Sequence, residues 1–76
     1  MINKELFYKV TLIDCNGKEL EVAKFLQILT GMEKTETRRI VASLPCVLYE
    51  ELDGEACSYI EEALDFYTAN ISLNQS

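Results

Sequence analysis

The sequence predicts an α+β domain of two layers, in which a three-stranded antiparallel sheet carries three helices on one face in the order β-α-α-β-α-β. Three observations lead there. Residues 5–13 alternate with the period of a strand, and residues 19–30 switch to the i, i+3, i+4, i+7 spacing of a helix. Pro45 and Asp53 then bracket a short apolar run between two further helical patterns. A chain of 76 residues supports one small core, so residues 1–76 are predicted to form a single domain.

Each element follows from its residues. In 5–13, Leu6, Tyr8, Val10 and Leu12 fall on one side of the strand and Phe7, Lys9, Thr11 and Ile13 on the other. Residues 14–18 form a turn because Asn16 and Gly17 tolerate positive φ. Val22, Phe25, Leu26 and Leu29 then give the stripe of a helix over 19–30, which Gly31 ends. A second helix is predicted over 35–43, with Thr37, Ile40, Val41 and Leu44 inward and Pro45 as its stop. Residues 46–52 are a short strand. Asp53 is the N-cap of a third helix, with Glu55 in the favourable first turn and Ala56, Ile60, Ala63, Leu64 and Tyr67 as its buried stripe. Residues 69–73 alternate as a closing strand with the odd positions inward, and 74–76 are expected to fray.

Composition narrows the function. Forty-nine per cent hydrophobic and 26% charged residues describe a folding chain rather than a disordered one. No apolar run is long enough for a membrane span, and the first residues lack a signal-peptide core, so a cytoplasmic protein is expected. Seven bases against thirteen acids give a net charge of −6. All seven bases lie in residues 1–45 with six of the acids, whereas 46–76 carry seven acids and no base. Such a chain repels phosphate backbones within a Debye length of about 8 Å, which speaks against nucleic-acid binding.

With no histidine, no Gly-rich phosphate loop and no C-x-x-C pair, the sequence offers no catalytic constellation. It predicts neither enzyme activity, nor a cofactor, nor a metal site. Of three cysteines, Cys46 and Cys57 are expected as small buried hydrophobes, and Cys15, in the turn, as the candidate reactive thiol. Recognition is the remaining class. Leu20, Ala23, Lys24, Gln27 and Ile28 face away from the inner stripe of the first helix, a mixed apolar and basic surface suited to a protein partner. A second candidate is the outer sheet face, where Phe7, Ile13, Val47 and Tyr49 are expected to form an apolar patch for self-association as a homodimer.

The run Thr30-Gly31-Met32 through Ile40-Val41-Ala42-Ser43-Leu44-Pro45 resembles, without a gap, the "TG-L-GL-EAK-LV-S-P" segment of the C-terminal domain of the bacterial ribosomal stalk protein. The resemblance extends from Phe7 to Leu73, with Asp53 at the family's N-cap serine and Ala63-Leu64 and Ile71-Ser72-Leu73 where its last helix and strand belong. It implies the same β-α-α-β-α-β fold and a surface on the first two helices that binds translational GTPases. On that surface Lys24 and Arg38 match basic positions, and Leu20 and Ala23 match apolar ones. Two further basic positions are Glu19 and Gln27 here, and Thr68 replaces the glycine that closes the last helix, which implies an unfavourable backbone at that point. Only six residues precede the matching segment, so the family's N-terminal dimerisation helices and hinge are absent from this sequence and a free-standing domain is expected. Tyr8 to Asp14 is also similar to the first strand of the Clp-protease adaptor family that binds N-degrons. That pocket needs an Asn-Asp pair and a histidine, where this chain has Asp14-Cys15 and no histidine.

The sequence thus predicts a protein-interaction module, related to translation-factor binding, that uses Leu20, Ala23, Lys24, Gln27, Ile28 and Arg38. Two alternatives stand beside it: a small oligomeric structural protein associating through the sheet face, and an adaptor or immunity-type inhibitor whose Glu50, Glu51, Glu61, Glu62 and Asp65 mimic an anionic ligand.

Overall fold

The alternating residues at the start of the chain become the central strand of a sheet. A computed structural model describes residues 2–75. In it β1 (Phe7–Asp14) is flanked on both sides by antiparallel neighbours, β2 (Cys46–Asp53) and β3 (Asn70–Gln75), in the order β2-β1-β3. The helices α1 (Glu19–Thr30), α2 (Lys34–Ala42) and α3 (Gly54–Phe66) complete the predicted β-α-α-β-α-β order. Tyr8, Val10 and Leu12 are buried and Phe7, Lys9 and Ile13 are exposed, as a period of two requires.

Short-range chemistry sets the joints. Asn16 and Gly17 both take positive φ, 49° and 82°, and Lys18 N–H donates to the Cys15 carbonyl at 2.8 Å, which makes a type I′ turn that leads straight into α1. Gly31 closes α1 in the left-handed region, its N–H on the Gln27 carbonyl at 2.9 Å. Helix α2 begins one residue before the predicted start and ends one before the predicted end. Its Thr37 is fully buried and satisfied by the Lys34 carbonyl at 3.1 Å, while Ile40, Val41 and Leu44 pack on the core as expected. The Asp53 carboxylate accepts from Ala56 N–H at 2.9 Å, the predicted N-cap of α3.

Leu12, Val22, Leu26, Ile60 and Leu64 form the main core, and Tyr8, Val10 and Cys57 a second cluster at the other end of the sheet. Leu48, Tyr49, Leu52 and Ile71 pack against both and join them. Each such large apolar side chain contributes about 1.5–3 kcal/mol when fully buried. On α3 the fully enclosed side chains are Cys57, Ile60 and Leu64, while Ala56, Ala63 and Tyr67 of the predicted stripe are half-buried.

Strand β2 corrects one expectation. Tyr8 pairs with Leu52, Val10 with Tyr49 and Thr11 with Val47, so Lys9 opposes both Glu50 and Glu51, and Leu48 has no partner of its own. These are two β-bulges, each shifting the pleat by one residue. Directly paired residues share a sheet face. Tyr49 therefore lies beside fully buried Val10, under the helices, and not on the outer face with Phe7, Ile13 and Val47. Those three are exposed as expected, but Lys9 and Thr11 lie between Phe7 and Ile13 on β1, with Ser72 and Asn74 of β3 paired to Thr11 and Lys9. The outer face is polar along its middle.

The ends of the chain depart from prediction as well. Asn74 and Gln75 do not fray; they pair with Lys9 and Tyr8 in β3, where Ile71 and Leu73 face inward as expected. Ser76 lies outside the described residues. Glu5 and Leu6 belong to a turn rather than to the strand. The Asn3 side chain accepts from Glu5 N–H at 2.9 Å, and Leu6 N–H donates to the Asn3 carbonyl at 3.1 Å. That turn is held down by Asn3 N–H on the Tyr8 hydroxyl at 2.9 Å and by Gly54 N–H on the Leu6 carbonyl at 2.8 Å. It passes so close to α3 that a Cβ at Gly54 would sit 2.1 Å from the Asn3 carbonyl oxygen and 2.7 Å from Lys4 Cα.

After α3, Thr68 N–H bonds the Asp65 carbonyl at 2.9 Å and Ala69 N–H the Leu64 carbonyl at 3.0 Å, the paired bonds of a Schellman motif. Thr68 sits in its left-handed position with φ 60°, where a β-branched residue is strained. The unfavourable backbone implied by the missing glycine is present.

Two substitutions test these backbone constraints by denaturant unfolding. Gly54→Ala drives a methyl into main-chain atoms and is expected to cost about 2–3 kcal/mol. Thr68→Gly removes the left-handed strain and is expected to stabilise by about 0.5–1 kcal/mol; a loss of stability there would contradict the strain.

Candidate functional site

Helix α1 is amphipathic in an uncommon sense, because it has two buried sides. Val22 and Leu26 enter the core with Phe25 and Leu29, whereas Ala23, one position round the helix from Val22, is buried on the side where α1 packs along α2. The small Ala23 side chain leaves a groove of about 420 Å³ between the two helices.

Leu20, Ala23, Lys24 and Gln27 line this groove from α1, and Arg38 lines it from α2. Leu20, 66% exposed, and Ala23 supply its apolar surface. Lys24 and Arg38, from separate helices, face the same space. Two lining residues escaped the sequence reading. Lys34 stands one turn before Arg38 at i, i+4, so both project from the same side of α2; that spacing was the signal available. Glu21 is the carboxylate of the lining, and no sequence pattern distinguishes it from solvated surface. Ile28, the sixth predicted residue, does not line the groove and is 85% exposed.

The groove's electrostatics oppose those of the whole molecule. Three cations and one anion line it, while the remaining chain carries four bases and twelve acids. Arg39, next in sequence to Arg38, pairs instead with Glu36 on the solvent side of α2. Among the described residues Lys24, Lys34 and Arg38 form no ion pair, so all three charges are open to a partner.

The predicted acidic surface divides in two. Glu61, Glu62 and Asp65 lie on α3 around a shallow concavity shared with Ser58 and Asn70, whereas Glu50 and Glu51 oppose Lys9 across the β1–β2 pair. They do not form one anionic face. Among the described residues no group of histidine, cysteine and carboxylate side chains could hold a metal ion, and no helix is long and apolar enough to cross a membrane.

Cys15 is not the accessible thiol its turn position suggests. The type I′ turn folds its side chain into the core beside Leu12 and Val22. Burial, reinforced by Glu19 and Asp14, pushes its pKa up to about 11. Cys57 is also buried and raised, by burial first and then by Asp53 and Glu61, with its thiol near the Leu52 carbonyl at 3.6 Å. Cys46, expected to be buried, is the half-exposed one.

The chain matches no protein-family model, and no curated protein resembles it at a significant level.

Alkylation of the native protein at pH 8, read by mass spectrometry, is expected to modify Cys46 first. A rise from 9.0 to about 11 alone lowers the Cys15 thiolate fraction by about a hundredfold, so Cys15 should label only after unfolding. Rapid native labelling of Cys15 would contradict its burial.

Proposed function

We propose that this protein is a protein-interaction module that receives its partner in the groove between α1 and α2. The observation that carries this reading is the convergence of Lys24 and Arg38, from different helices, on one concavity with an apolar floor. Solvent-exposed ion pairs contribute about 0–1 kcal/mol each, so the three cations steer and orient an incoming partner more than they hold it. Affinity comes from desolvating the exposed Leu20 beneath an apolar side chain of the partner, over the floor that the already buried Ala23 provides. The partner is therefore acidic with an apolar anchor. The resemblance to the ribosomal stalk domain makes a translational GTPase the first partner class to test. The outer sheet face supports the oligomeric alternative less well, because Tyr49 is withdrawn from it and Lys9, Thr11, Ser72 and Asn74 occupy its middle.

Affinity capture from lysate with wild type and Lys24→Glu/Arg38→Glu tests the reading. The double variant is expected to lose partners that wild type retains, and those same partners should weaken at about 0.5 M salt, where the Debye length falls to about 4 Å. An unchanged partner set would remove this groove from consideration.

A further inference from the structure

The chain carries, on its own opposite half, a surface of the chemistry the groove requires. On α3, Glu55, Tyr59, Glu62 and Phe66 follow one another at i, i+4, i+7, i+11 and all four are exposed, with Tyr59 at 61% and Phe66 at 74%. Two bare aromatic side chains on one solvent-facing helix side are unusual, since large apolar groups tend to gather in the core. Asp65 and Glu61 flank the ridge, and residues 46–76 contain no base to neutralise it.

The dimensions agree. Tyr59 and Phe66 are seven residues apart, a rise of about 10 Å along α3, and Leu20 and Gln27 are also seven apart along the groove wall. An acidic helix edge with aromatic anchors thus meets an apolar channel of the same length with a basic rim. The groove lies between α1 and α2 and the ridge on α3, so each contact joins two unlike surfaces.

We infer that the α1–α2 groove of one copy receives the Tyr59–Phe66 ridge of a second copy, giving self-association. The inference rests on reading the groove as a protein-binding surface and names an occupant for it. A single such contact leaves one groove and one ridge free; it closes as a two-fold dimer where the same two copies exchange ridges, and otherwise propagates into a ring or an open chain. A foreign acidic partner must compete with the ridge for the same groove, which makes assembly and partner capture mutually exclusive at each site.

Sedimentation of the full chain from about 10 µM to about 1 mM decides the matter. Wild type is expected to associate with rising concentration, and to do so less at about 0.5 M salt than at about 0.05 M. A groove variant, Lys24→Glu/Arg38→Glu, and a ridge variant, Glu55→Lys/Glu62→Lys, alter exposed side chains only, and circular dichroism checks that both remain folded. Each alone is expected to associate at least about tenfold more weakly than wild type, and their equimolar mixture to regain association, because opposite charges again face each other. Strictly monomeric wild type, variants that associate as wild type does, or a mixture no stronger than its components would each overturn the inference. Monomeric wild type together with capture that still depends on Lys24 and Arg38 would remove self-docking alone and leave the groove as a site for other proteins.

Discussion

Helix α1 must satisfy two packing surfaces with adjacent residues, and the rest of the molecule depends on how it does so. Val22 and Leu26 are sealed in the core against Ile60 and Leu64 of α3, while Ala23 faces α2. A larger residue at 23 would fill the groove floor, and a polar residue at 22 would leave an unpaired group in the core. The concavity is therefore a by-product of core packing. Its floor is as rigid as the core, because the helix that forms it cannot turn without withdrawing Val22 and Leu26.

Charge is sorted by helix and along the chain rather than evenly mixed. The groove gathers three of the seven bases, and α3 carries Glu55, Glu61, Glu62 and Asp65 with no base of its own. Sorting of this kind gives direction to an encounter: an approaching acidic surface is drawn toward the α1–α2 side and repelled from α3. It also explains why a chain of net charge −6 can offer a cationic site. Neutral polar side chains, such as half-buried Ser72 and exposed Asn74 on the outer face of the sheet, carry no net charge to add to that field.

Much of the architecture was legible because its signals are local. The Asn16-Gly17 turn, the stripe of α1, the Gly31 stop and the Asp53 cap each depend on residues within a few positions of one another, and all appear where expected. The strain at Thr68 was signalled only by the resemblance, which places a glycine at that position; the Schellman geometry that wants one appears in the fold. Illegible features involve partners far apart in sequence. The bulges in β2 exist only in register with β1, so no period read along 46–52 could place Tyr49 inside. Gly54 acquires its meaning from Asn3, and the burial of Cys15 from a turn that aims it at Leu12 and Val22. Of the groove, the α1 residues were legible as a face, but Lys34 and Glu21 joined it only when α2 came alongside.

By itself, then, the sequence determined the order of elements, their turns and caps, and which halves of the chain are basic and acidic, because periodicity, backbone preference and charge are properties of neighbouring residues. Tertiary structure decided which apolar side chains of β2 are hidden, which thiol meets solvent, and that Lys24 and Arg38 share one groove. Those outcomes depend on strand register and on the approach of two helices. Both are set by the global minimum of core packing, to which distant segments contribute together.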